Sequence, residues 1–378
     1  MLKNRTVLPA AAAAVLALGL LAGCSGDEES DSPGGGGGGG TASFAEEFSV
    51  RGALAEIPEG AIPTDGVLTV AAGDLRAATE MAGLEWPAEG TREATGPWLM
   101  ALTTGAEEDT VPFVPISGVF NVQSASADEF AEAAGWSILD VDRFVEVETA
   151  PRRFAVVAGD FDDDTLSPDL VEVGDGIVSD RDAEDLSTDL AEQGPLNPIG
   201  QPIRMAQDGD RIAVSTVTDL VADWLSGGET LADREPLAAV ADALDQRQVV
   251  SAYLGEPGDA ASTGLTPDQL QATGVDLDAL PSFDMVGMGW TEVDGEAKVH
   301  VAYHFADEAA ATAGADYLEE LYRNGRGVTT GGPFSDFLAV DEVTTEGSVV
   351  VVSTTAVPGR QRFLFQAYNQ RELMFVSG

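Results

Sequence analysis

Two histidines, His300 and His304, are the sequence's entire supply of imidazole for acid–base or metal chemistry. They lie four residues apart in the run Lys298-Val299-His300-Val301-Ala302-Tyr303-His304-Phe305. On a helix that spacing would bring both rings to one ion. Here Val299, Val301, Tyr303 and Phe305 alternate with His300, Ala302 and His304, which is the pattern of a strand. A strand holds the two rings ~13 Å apart, too far to share a metal. Both are therefore expected to be half-exposed strand residues. Nucleophilic chemistry finds no footing either. The body contains no Gly-x-Ser-x-Gly elbow and no Walker loop. Beyond the first residues the single lysine is Lys298, and Gly295, not serine, stands three positions before it. No catalytic residue is assigned, and the chain is not expected to be an enzyme.

Carboxylates offer one metal candidate. Asp160, Asp162 and Asp164 alternate like the first ligands of a calcium loop, but Thr165 stands where that loop needs glycine. Val171 then stands where a bidentate glutamate belongs. The simpler reading is a solvated loop capping a following helix. A second cluster, Asp180, Asp182, Glu184 and Asp185, reads as the acid-rich first turn of a helix. The five tryptophans (Trp86, Trp98, Trp136, Trp224 and Trp290) are scattered and are expected mostly in the core. No cofactor is expected.

Charge excludes a class of partner. The 378 residues carry 65 Asp+Glu against 19 Lys+Arg, a formal net charge of −46, which repels nucleic acid. The deficit is uneven. Residues 321–378 hold five acids and five arginines, among them the run Pro358-Gly359-Arg360-Gln361-Arg362. Such arginines either meet an anionic partner or pair with acids of their own chain, and internal pairing is the expectation.

The amino terminus supplies an address. Lys3 and Arg5 precede an apolar stretch over residues 7–21, and Ala22 and Gly23 lead into Cys24, the only cysteine. The apolar stretch is too short to span a bilayer and has the form of a removable export signal. Leu21-Ala22-Gly23-Cys24 resembles the lipobox of bacterial lipoprotein precursors. That resemblance implies a diacylglyceryl group on the Cys24 thiol, cleavage just before it, and a protein held at the cell membrane on its extracytoplasmic side. Two acyl chains on one residue anchor stably where one would be marginal. Loss of residues 1–23 removes Lys3 and Arg5 but no acid, so the charge moves from −46 to −48. Residues 25–43, with seven consecutive glycines at 34–40, then form a flexible tether of ~25 Å for about 19 residues.

The remaining body reads as α+β with mostly antiparallel sheet. Strands are predicted at 67–72, 154–158, 211–216, 249–253, 285–291, 297–305 and 349–354. Asp208-Gly209, Asp294-Gly295 and Glu346-Gly347 supply turn chemistry between them. Helices are predicted at 127–134, 220–225, 235–244 and 307–324. Internal echoes suggest a repeated strand–helix–hairpin unit. Residues 69–75 echo 155–161, and the run 209–216, ending in Ser215-Thr216, echoes 347–354, ending in Ser353-Thr354. The alternative is that short Val-rich strands look alike in such a composition. The expected organisation is a signal peptide (1–23), lipidated Cys24 with its tether (24–43), and two α+β domains (44–245 and 246–378). The body loosely resembles lipoproteins of unassigned function from high-GC Gram-positive bacteria.

These readings lead to a membrane-anchored lipoprotein with a non-catalytic binding or scaffold role. The alternative is a solute- or lipid-binding component of an envelope transport system. A solute binder needs a cleft of ~300–1,000 Å³ with a few convergent polar groups, whereas a scaffold needs an exposed apolar patch. The membrane is the expected partner through the anchor; the sequence names no protein or small-molecule partner.

Overall fold

Alternation of Val, Ile and Ala with polar residues produces long strands, and tight turns fold them into hairpins. The computed structural model describes residues 43–63, 66–104, 112–116, 118, 120, 127–259 and 281–378. Cys24, the export signal and the tether lie outside the described residues. In chain order the elements are α1 (Val50–Ala55), β1 (Thr69–Asp74), α2 (Leu75–Met81), α3 (Arg92–Thr104) and α4 (Ala127–Ala134). Then come β2 (Val141–Thr149), β3 (Arg152–Gly159), β4 (Val171–Gly174), β5 (Ile177–Ser179), β6 (Arg204–Asp208) and β7 (Arg211–Ser215). Next are α5 (Thr218–Ser226), α6 (Glu235–Asp245), β8 (Ser251–Gly255), β9 (Gly258–Asp259), β10 (Phe283–Val293) and β11 (Glu296–Phe305). The last are α7 (Glu308–Asn324), β12 (Leu338–Glu346), β13 (Val349–Ala356), α8 (Phe363–Asn369) and β14 (Val376–Ser377).

Twelve strands join one antiparallel sheet in the order β12-β13-β11-β10-β8-β1-β2-β3-β7-β6-β5-β4, and β14 pairs separately with β9. The fold is α+β with mostly antiparallel sheet. Its order repeats outward from the centre. β1-β2-β3-β7-β6 on one side matches β8-β10-β11-β13-β12 on the other, and the antiparallel β1–β8 pair is the seam. The four matched hairpins all close through two residues: Ala150-Pro151, Gly209-Asp210, Asp294-Gly295 and Gly347-Ser348. The echo between 209–216 and 347–354 therefore falls on strands in corresponding places, β7 and β13. The echo between 69–75 and 155–161 does not, because β1 and β3 hold different places in the repeat. The sequence boundary at 245/246 falls between the halves, and the sheet continues across it within one compact unit, Thr41–Gly378.

Side chains alternate between the two faces of this sheet. On one face Val70, Ala72, Val156, Leu254, Ala302 and Val351 form a common core under both halves, covered by α1, α5 and α6. On the other, α2, α3 and α4 cover the first half, and α7 and α8 cover the second. Helix α6 presents Leu237, Val240, Ala241 and Leu244 at helical spacing and sits very close to β10. A Cβ on Gly287 would lie 2.4 Å from Val240 Cγ1, and one on Gly289 2.5 Å from Val249 Cγ1. At its far end, Asp245 of α6 accepts bonds from the amides of Val50 (2.6 Å) and Arg51 (3.0 Å), capping α1.

Candidate functional site

The sequence-derived candidates disperse. Asp160, Asp162 and Asp164 are exposed on the loop after β3, which turns through Thr165 N to Asp162 O (3.1 Å) and runs on to β4, not into a helix. Among the described residues no group of three or more His, Cys, Asp or Glu side chains is placed to hold a metal. The cluster at 180–185 is not a helix start either. Asp180 accepts from Ile203 N (2.9 Å) and from Asn197, and Asp185 accepts from Thr218 N and Oγ1 (both 2.7 Å) and from Arg204 Nε (3.0 Å). Asp185 ties its loop to the buried Arg204 and Asp180 ties its own to Asn197 and Ile203, so the backbone there follows side-chain bonds in place of a helical ladder.

The histidines stand on the expected face of β11, but His304 is buried, not half-exposed. Its Nδ1 meets Asp284 Oδ1 at 2.6 Å and its Nε2 meets Glu235 Oε1 at 3.2 Å. With both nitrogens taken, the ring ties α6 to the sheet. His300 Nδ1 lies 3.0 Å from Ser353 Oγ. Burial, assisted by the Arg247 guanidinium, pushes His300 down to about 4. The tryptophans go to packing: Trp98, Trp136 and Trp290 are buried, Trp86 lies under Arg76, and Trp224 lies under Arg211.

One site does assemble, where β13 leaves the sheet. The chain turns through Val357-Pro358-Gly359-Arg360, with Arg360 N bonded to Val357 O at 2.8 Å and Gly359 at φ 76°. Proline followed by a positive-φ glycine is the chemistry of a type II turn, and it fixes where Arg360 emerges. Gln361 points inward and is buried, while its carbonyl accepts from Trp290 Nε1 at 2.8 Å. That anchor leaves the neighbours on either side, Arg360 and Arg362, facing out. The Arg360 guanidinium lies 5.6 Å from the centre of the Phe337 ring, which stacks on Phe363 at 4.3 Å and 9°. With its amide oxygen turned toward Arg362, Gln366 accepts from Nε and Nη2 at 2.9 and 3.0 Å. Both arginines, Phe337, Phe363, Thr330 and Gln366 line a pocket of about 420 Å³ with no carboxylate on its wall among the described residues.

Among the described residues the expected internal pairing is not found for Arg360 and Arg362: neither meets a carboxylate there. Ten other arginines and Lys298 do lie within ion-pair distance of one. The turn geometry and the anchored Gln361 hold Arg360 over the Phe337 ring and Arg362 against Gln366. The sequence signal was the charge-balanced carboxyl-terminal segment, which did not distinguish the two outcomes.

The first half has a counterpart. Ile203 precedes β6 as Phe337 precedes β12, and Thr216 follows β7 as the Arg360 turn follows β13. There Ile203, Thr216, Phe130 and Arg153 line a smaller pocket of about 80 Å³. Its arginine is already claimed: Arg153 lies 3.8 Å from the buried Glu146 and 3.6 Å from Glu148.

No protein-family model matches the sequence, and no curated protein matches it. Among solved structures, crystal form I of TP0453 aligns over 82% of this chain and 94% of that chain, at 8% identity and a TM-score of 0.35. Crystal form IV of TP0453 aligns over 82% and 96%, at 9% identity and a TM-score of 0.34. Likeness at this level says nothing about role. Among the described residues, no helix is long and apolar enough to cross a membrane.

Proposed function

We propose that the chain is a membrane-anchored lipoprotein, facing the extracytoplasmic side, whose body binds a small ligand without catalysing a reaction. The observation that carries the binding reading is the pocket beside β13, which Arg360 and Arg362 line in a −46 chain without meeting a carboxylate among the described residues. Its volume of about 420 Å³ falls in the usual range for small-molecule sites. This favours the solute-binding alternative over a scaffold. The exposed large apolar residues Val67, Met100, Val171, Leu190, Ile199, Leu225 and Val293 are spread over many elements. Support for the anchor comes from Leu21-Ala22-Gly23-Cys24.

The anchor is tested by intact mass and detergent partition of the chain and of Cys24→Ala. The wild type should carry acyl mass and enter the detergent phase, and the variant should do neither. A variant that still partitions into detergent at wild-type mass removes the lipobox reading.

A further inference from the structure

We infer that the pocket formed by Arg360, Arg362, Thr330 and Gln366 against the Phe337–Phe363 stack is an oxyanion site for a small organic anion, a phosphoryl or carboxylate head on an apolar body. The inference rests on the binding reading above and names its ligand class. Three observations carry it. The first is charge. In a chain with 65 acids, Arg360 and Arg362 reach no carboxylate among the described residues, so their charge is available to a ligand. Guanidinium groups are matched to such heads, because their planar donors pair with two oxygens at once.

The second is pre-organisation. Arg360 is set by the Pro358-Gly359 turn and lies over Phe337, while Arg362 is oriented by Gln366. Side chains already held lose less freedom when a ligand arrives. Polar groups at one wall and stacked rings at another suit a ligand with a charged end and an apolar end.

The third is the internal comparison that the repeated fold provides. The matched pocket of the first half has one arginine, Arg153, and two glutamates beside it, Glu146 and Glu148. Its charge is neutralised within the protein, and its space is only about 80 Å³. The pocket at this end of the first half thus holds an arginine with carboxylate partners, and that of the second half holds two with none among the described residues.

The test uses the full chain carrying Cys24→Ala, so that no acyl group contributes, titrated calorimetrically with phenyl phosphate, benzoate, inorganic phosphate and phenol. Phenyl phosphate or benzoate should bind. Arg362→Gln should weaken that binding roughly tenfold or more, the loss expected for a charge-assisted bond, and Arg360→Gln with Arg362→Gln should abolish it. Arg153→Gln should leave it within about twofold, since that pocket is not the site. Affinity should also fall as sodium chloride rises.

Vesicles containing an anionic phospholipid distinguish the source of the head group. Binding to them that is lost in the double variant points to a lipid ligand, and binding of phenyl phosphate alone points to a soluble one; either supports the site. Phenol binding as well as phenyl phosphate, with no effect of the arginine variants, overturns the oxyanion site and leaves the binding reading intact. If none of the four probes and no vesicle binds, both fail. Glu107, Glu108 and Asp109 follow Thr104, which lines the pocket. Should anions bind only after Glu107→Gln, Glu108→Gln and Asp109→Asn, the site's anion is the chain itself and the inference is overturned.

Discussion

Gly209 and Gly347 hold the same place in the two halves of the sheet: each opens a two-residue turn, at φ 58° and 60°, between strands paired in the same register. The pairs that close these turns, Asp208 with Arg211 and Glu346 with Val349, are equivalent in the repeat. Positive φ at the first turn position suits the right-handed twist of the flanking strands and favours glycine.

Gly209→Val and Gly347→Val should therefore cost alike, about 1–2 kcal/mol each, because both force a β-branched residue into the left-handed region. Urea unfolding of the two variants measures this. A cost at one turn and none at the other would contradict their equivalence.

The close approach of α6 to β10 predicts a larger and repairable effect. Gly287→Ala places a methyl group against Val240 and should destabilise by about 1–3 kcal/mol. Val240→Ala vacates that space, so the double variant should be more stable than the sum of the single changes implies. Strict additivity in a double-mutant cycle would argue against this contact.

His300 gives stability a pH dependence of defined sign. Burial and Arg247 lower its folded-state value to about 4, outweighing the raising effect of Asp341. Below the ordinary value near 6.5 the unfolded chain binds a proton that the folded chain refuses. The contribution of His300 is thus fully present above pH 6.5 and is lost as pH falls toward 4, on the order of 2–3 kcal/mol. His300→Gln should flatten this part of the profile. Identical slopes for the two proteins between pH 6.5 and 4 would rule out the assignment.

Salt should stabilise the chain, since screening relieves repulsion in a molecule of charge −46. Asp160, Asp162 and Asp164 are exposed and spread along a loop, so calcium and magnesium at equal ionic strength should raise the melting temperature alike. A saturable extra gain with calcium, lost in Asp162→Asn with Asp164→Asn, would restore the calcium loop.

What the sequence disclosed follows from how its residues meet water. Strands with clean alternation, such as β11, and helices with an apolar stripe, such as α4 and α7, lie where their periodicity put them. β2 escaped notice because Asp142, Arg143, Glu146 and Glu148 interrupt its apolar pattern, yet each meets an opposite charge: Arg76, Asp74 and, for both glutamates, Arg153. Such cross-element pairing has no local signal. Asp180 and Asp185 were misplaced for a related reason, since their partners are far along the chain. The arginine pocket was half visible. The run Pro358-Gly359-Arg360-Gln361-Arg362 stands out by its charge, but which way Arg360 and Arg362 face depends on Gln361 bonded to Trp290, a contact only the fold creates.

The seam between β1 and β8 has a consequence for how the molecule is made. Synthesis delivers the chain amino-terminus first, so Thr69–Asp74 can find β2 early while its other edge waits for Ser251–Gly255. Contacts so distant in sequence form slowly. Until they do, β1 offers a bare row of amides and carbonyls to any neighbour in the same state. Half-finished chains that meet at this edge can join one another in place of closing on themselves, so yield should fall with the rate of production more steeply than with temperature.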